Sequence, residues 1–247
     1  MAEDRLFDWT ASRRGDFAFD ADVADVFDDM VLRSVPLYLE QQAMVAELAA
    51  RFWTPGTRAY DLGCSTATTL VHLARALEPP VRLVGYDDAH PMLEQAARKV
   101  KALRCEDAIE LRWADLNADP ATLDLTDASV VTLCWTLQFV RPPNRERLVR
   151  HIHERLRPRG ALLVTEKVLP TDPHVHPWFV ELYHDLKRRN AYSELAIARK
   201  REALENVLVP YRIDENLALF RRSGFEIVET FFQWYNFAGT LCVKGPA

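Results

Sequence analysis

The chain has no Cys-x-x-Cys pair, no G-x-G-x-x-G fingerprint, no excess of positive charge and no long apolar run. Each absence removes a class of function. The four cysteines, Cys64, Cys105, Cys134 and Cys242, lie far apart, so free thiols are expected rather than bridges or a zinc cage. Histidine supplies no substitute ligand set. His151 and His153 are two apart and point to different faces of a helix, while His174 and His176 fall in a Pro-flanked stretch that reads as a solvated loop. No metal site is expected.

A formal net charge of −5 argues against direct nucleic-acid binding, because phosphate contacts need clustered Lys and Arg. No run approaches the ~18–20 apolar residues of a membrane span. The acidic N-terminal stretch has no apolar signal core. The expectation is a cytoplasmic protein bound to neither membrane nor nucleic acid.

What is present is an ordinary globular balance, 49% apolar and 27% charged over 247 residues, enough for one well-buried α/β domain with additions. Residues 20–33 set Val23, Val26, Phe27 and Met30 on one helical face, and Pro36 ends that pattern. A second helix over 37–52 aligns Tyr38, Val45, Leu48 and Phe52. These helices, 17–56 with their flanks, either cover the sheet edge as a lid or merely pack against the sheet.

From Arg58 the chain alternates strand and helix. Strands are read at Arg58–Leu62, 81–86, Ile109–Trp113, Ala128–Cys134 and 161–165, with helices between them, the last over 144–156. Such alternation implies a parallel sheet with right-handed crossovers. Two helices, 177–190 and 193–207, interrupt the pattern as an insertion spanning 170–210. A helix at 214–222 and two closing strands, 225–232 and 239–243, complete one domain.

Ligands of open parallel sheets bind beyond the carboxyl ends of the strands, and the residues at those ends form a set. Gly63, Cys64 and Ser65 make a tight turn between strand one and a helix, where backbone can approach an anionic ligand closely. Asp87 ends strand two, suited to ribose hydroxyls or to capping the next helix. Asp115 and Leu116 follow strand three, suited to an adenine, although Asp115 can equally close a turn with Asn117. Cys134 ends strand four, either beside the reactive part of the ligand or as a small buried apolar residue. Without a dinucleotide fingerprint, and with a short closing hairpin, S-adenosylmethionine (SAM) is the expected ligand.

More specific segments then name a family. Val26-Phe27-Asp28-Asp29-Met30, Arg33-Ser34-Val35-Pro36 with Tyr38, Tyr60-Asp61-Leu62-Gly63-Cys64-Ser65, Thr136-Leu137-Gln138-Phe139 and Glu166-Lys167 run through the first two thirds. His184-Asp185-Leu186-Lys187-Arg188, Tyr192-Ser193-Glu194-Leu195, Lys200-Arg201, Leu204-Glu205-Asn206-Val207 and Phe232-Gln233 with Asn236-Phe237 follow. Together they resemble the carboxy-S-adenosyl-L-methionine synthase family from about Gly15 to Val243. The insertion segments are the diagnostic ones, because they lie outside the shared nucleotide turn.

The resemblance implies a Rossmann-like class I methyltransferase fold with a mostly parallel seven-stranded sheet. It also implies conversion of SAM and prephenate to carboxy-SAM and phenylpyruvate, supplying carboxymethyl groups for tRNA wobble-uridine modification, by a homodimer. Carried over by position, Tyr38, Gly63, Cys64, Ser65, Asp87, Asp88, Asp115 and Leu116 contact SAM. Arg201 holds the new carboxylate, a task for a planar guanidinium. Read without the family, Arg201 is a solvated helix charge beside Arg199 and Lys200.

Three departures stand out. Thr66-Ala67-Thr68 lacks the further glycine of the family turn and is one residue shorter; Asp88 stands where the family has Asn; Cys134 replaces an Asn. They leave open a SAM-dependent methyltransferase acting on a small molecule of specialised metabolism, or a catalytically silent SAM-binding protein.

Overall fold

The computed structural model describes Asp4, Leu6 and residues 18–246, so the acidic N-terminal stretch and residue 17 of the expected lid fall largely outside it. Two helices open the described chain, α1 (Ala21–Ser34) and α2 (Tyr38–Phe52). Asp20 caps α1, its carboxylate accepting from the Val23 N–H at 3.0 Å. The apolar face foreseen for this helix is the buried one, through Val23, Val26 and Met30.

Strand–helix alternation follows as β1 (Arg58–Leu62), α3 (Thr68–Ala76), β2 (Leu83–Asp87), α4 (His90–Ala102), β3 (Ile109–Trp113), β4 (Ala128–Cys134), α5 (Pro142–Arg155) and β5 (Leu156–Lys167). Next come α6 (His176–Arg189), α7 (Glu194–Ala203), α8 (Ile213–Arg222), β6 (Ile227–Trp234) and β7 (Phe237–Val243). The seven strands form one sheet in the order β3-β2-β1-β4-β5-β7-β6. All neighbours are parallel except β7, which runs antiparallel to both β5 and β6. This is the class I methyltransferase fold.

β4 explains why the core has two halves. Val131 and Leu133 face the cluster under α5 and α8, whereas Val130 faces the cluster under α2, α3 and α4. A strand covered on both faces must be apolar at successive positions, as this one is. Each of these fully buried Val or Leu side chains contributes roughly 1.5–3 kcal/mol.

Two strand boundaries differ from expectation for local reasons. Arg157-Pro158-Arg159-Gly160 reads as a break, yet β5 begins at Leu156. The pairing jumps from Ala128↔Leu156 to Val130↔Ala161, so the break is a bulge inside the strand. The closing hairpin is longer on its turn side, β6 running to Trp234 and β7 starting at Phe237, because the positive φ of Tyr235 (43°) allows a tight reversal.

Candidate active site

Strands β1 to β5 end on one side of the sheet, and a cavity of about 650 Å³ opens there. Its floor is the turn after β1. Gly63 has φ +77°, and a Cβ on it would fall on the Thr136 side chain, so only glycine fits. The N–H groups of Gly63 and Cys64 both donate to the Tyr86 carbonyl, at 2.7 and 2.9 Å, which ties the turn to β2. Ser65 (φ 47°) and Ala67 (φ 66°) continue in the left-handed region. Ala67 takes that conformation fully buried, two positions after Ser65.

Asp87, at the end of β2, is a bridge between loops. One carboxylate oxygen accepts from the Ser65 N–H at 2.8 Å and the other from the Ala89 N–H at 2.9 Å. Burial pushes its pKa up to about 6, against the opposing effect of those two donors. Each oxygen keeps a lone pair for a further donor.

Helix α1 is tied to this turn. Lys99 Nζ, from α4, donates to Asp28 of α1 at 2.7 Å and to the Thr66 and Thr68 hydroxyls at 2.9 Å each. Phe19, Phe27, Met30 and Val31 then face the cavity from above the turn. Helix α1 thus lines the cavity, while α2 packs on the sheet through Val45, Ala46 and Ala49. Tyr38, at the start of α2, lines the cavity too, and burial raises its phenol pKa so that it stays protonated.

The opposite wall comes from β4, β5 and the insertion. Cys134 lines the cavity at the end of β4, its thiol pushed up to about 12 by burial, so it is a neutral thiol and no nucleophile. Arg201 lies on the exposed side of α7 yet reaches the same cavity, with no ion-pair partner among the described residues. Lys200, its neighbour, points inward. Its Nζ lies 3.4 Å from Ser34 Oγ and 3.9 Å from Asp4, and burial lowers its pKa to about 8.

The fold therefore gathers Tyr38, Gly63, Cys64, Ser65, Cys134 and Arg201 on one cavity, with Asp87 one hydrogen bond behind it through Ser65. Asp88, Asp115 and Leu116 do not line it. Asp115 accepts from the Asn117 N–H at 2.8 Å, the turn contact, Leu116 joins the core, and Asp88 is exposed beside β3.

His174 and His176 divide. His174 is exposed and pairs with Asp172 at 2.9 Å, but His176 is the first residue of α6 and lines the cavity, which corrects the loop expected for it. Lys167, His184, Lys187 and Lys200 also line it and were given no role from sequence. Lysine beside arginine on a polar helix reads as solvated, and only tertiary packing turns Lys187 inward. Among the described residues no His, Cys, Asp and Glu cluster has metal-holding geometry.

The buried Asp61, under the turn, yields a pH prediction. Its carboxylate accepts from Thr132 Oγ1 at 2.6 Å, and burial raises its pKa to about 7. A carboxyl raised on folding stabilises fully below its unfolded pKa, and that contribution is lost as pH rises towards the folded value. Chemical denaturation of ligand-free Asp61→Asn should show a smaller loss of stability than wild type between pH 5 and 8, by roughly 1–3 kcal/mol. The buried lysines act in the opposite sense but are common to both proteins, so the difference isolates Asp61. Parallel pH curves would refute the burial effect.

The geometry suits SAM. The cavity volume is that of a small-ligand site, the glycine turn admits close backbone approach, and the acceptors and apolar lid suit a nucleoside. Residues 59–160 match a methyltransferase domain family. The fold is similar to an O-methyltransferase family protein from Burkholderia thailandensis, with TM-score 0.66 and 16% identity, over 94% of this chain and 64% of that one.

Over 99% of its length the chain is 47% identical to the whole of a carboxy-S-adenosyl-L-methionine synthase from Methylococcus capsulatus. Over 98% it is 41% identical to the synthase of the same description from Sulfurimonas denitrificans, covering 99% of that protein. Identity of this extent spans the lid and the insertion as well as the nucleotide turn, and the chain belongs to the carboxy-S-adenosyl-L-methionine synthase family.

Proposed function

We propose that this chain converts SAM and prephenate to carboxy-SAM, phenylpyruvate and water. The product supplies the carboxymethyl group for tRNA wobble-uridine modification. The observation that carries this reading is that Arg201, without an ion-pair partner, shares one cavity with the 63–65 turn. A methyl transfer needs no such cation, whereas a carboxylated product does.

SAM supplies, when bound, a methyl group acidified by its sulfonium. The chain's own residues do the rest. Gly63, Cys64 and Ser65 pass backbone beneath it, and Asp87 offers its free lone pairs to the ribose. Asp88, Asp115 and Leu116, outside the cavity lining, serve the adenine from the rim. Tyr38 and Cys134 close on the methionine part, both uncharged. The lid, held by Lys99, and the insertion keep water from the reacting centre, where it would quench a carbanion.

One domain, with 17–56 as lid and 170–210 as insertion, is supported by the fact that both segments close the same cavity. A homodimer is supported by exposed Trp178, Leu182 and Leu195 on the insertion helices. A monomer in sedimentation would count against it. Among the described residues no helix is long and apolar enough to cross a membrane.

Incubation with SAM and prephenate, read by mass spectrometry, tests the reaction. Carboxy-SAM and phenylpyruvate should appear in equal amounts. SAM that binds without gaining a carboxylate would overturn the assignment.

A further inference from the structure

Beyond the SAM turn the cavity wall is rich in basic groups, Lys167, Lys187, Lys200 and Arg201, with Glu205 the one carboxylate among its described lining residues. Lys167 ends β5 and Lys187 lies one turn beyond Tyr183 on α6. Their ammonium nitrogens sit 5.1 and 4.6 Å from the centroid of the Tyr183 ring. Neither has a hydrogen-bond or carboxylate partner among the described residues, and Lys187 is only 5% exposed. The acid that acts on Lys187, Asp4, is already engaged by the Tyr192 hydroxyl and by Lys200.

Holding an ammonium out of water without a counter-ion costs several kcal/mol. Contact with an aromatic face returns only about 0.5–2 kcal/mol. Burial first, then Lys200 and Lys167, hold the pKa of Lys187 well below the ordinary lysine value, and burial lowers that of Lys167 as well, so a bound anion is what would restore the charge on both. A purely structural role does not account for two such groups facing one cavity, but an anionic ligand does. The wall beside them is aromatic: Phe237 lies 5.0 Å from Tyr183 and 5.7 Å from Trp135 between ring centroids. Cations set against an aromatic wall suit an aromatic carboxylate.

We infer that Lys167 and Lys187 seat the carboxylate that the second substrate retains, that of an aromatic 2-oxo acid, while Arg201 receives the carboxylate that is transferred. The division follows the chemistry of the side chains. Two ammonium groups approach one carboxylate from different directions as point charges, whereas a single guanidinium grips one in its own plane. The assignment of which carboxylate goes where rests on the proposed reaction; the existence of the seat does not.

Calorimetric titration of phenylpyruvate into protein saturated with S-adenosylhomocysteine tests the seat. Lys187→Gln and Lys167→Gln should each weaken phenylpyruvate binding at least tenfold and leave S-adenosylhomocysteine affinity within twofold of wild type. In turnover the same variants should raise KM for prephenate more than they lower kcat. Both should stay folded, because Gln keeps a polar end at the cavity wall and neither ammonium makes a hydrogen bond or ion pair among the described residues, and a thermal melt verifies this. Wild-type affinity in both variants, or no phenylpyruvate binding to wild type, overturns the seat. If the lysines bind phenylpyruvate but SAM and prephenate give no carboxy-SAM, the seat stands and the reaction falls. If carboxy-SAM forms while both variants bind phenylpyruvate normally, the reaction stands and the seat falls.

Discussion

Arg201→Ala should lower carboxy-SAM formation by at least about a hundredfold, in line with the loss of one charge-stabilising donor group at a reacting centre. The side chain has no ion-pair partner among the described residues and lies on the exposed side of α7, so its removal disturbs no packing. What is lost is the one guanidinium among the described residues lining the cavity, whose other basic side chains are lysine and histidine. Arg201→Lys should recover little, because a point ammonium cannot present two parallel N–H groups to a carboxylate. SAM binding by calorimetry should be near wild type in both variants, since the 63–65 turn and Asp87 are remote from α7 in sequence and are held by their own hydrogen bonds. Unchanged turnover in Arg201→Ala would remove this residue from its role.

Gly63→Ala should be the most damaging small change to the fold, costing about 2–5 kcal/mol. Roughly 1–2 kcal/mol of this is the left-handed conformation imposed on alanine, and about 1–3 kcal/mol is the forced contact with Thr136. Gly56 separates the two contributions. It has φ +87° but open space around the position a Cβ would take, so Gly56→Ala should cost only the conformational part. Denaturant midpoints of the two variants measure the difference, and SAM binding should be lost with Gly63→Ala alone. Equal destabilisation of the two would show that Thr136 yields at no cost.

The alternating elements were legible because period and punctuation agree. The apolar run Ala128–Cys134 can only be a strand covered on both faces, and Gly63 can only be a turn. The bulge over 157–160 was not legible, because proline and glycine mark a break equally well when the strand resumes beyond it. The packing of α1 was ambiguous for a similar reason. An amphipathic helix declares that it has a partner, not which one, and Lys99 reaching from α4 to Asp28 fixes where α1 sits.

Return, finally, to the divided origin of the site. The sequence by itself determined the parallel sheet, the glycine turn at its edge and the placement of Asp87 and Cys134 at strand ends, because these depend on neighbours in the chain. Its family segments also singled out Arg201. Only the tertiary structure decided that His176 faces the cavity and that Lys167 and Lys187 meet across Tyr183. Those are contacts between segments distant in sequence or on opposite walls. A lysine is polar wherever it stands in the chain; whether it is solvated or turned to a cavity wall is set by what packs around it.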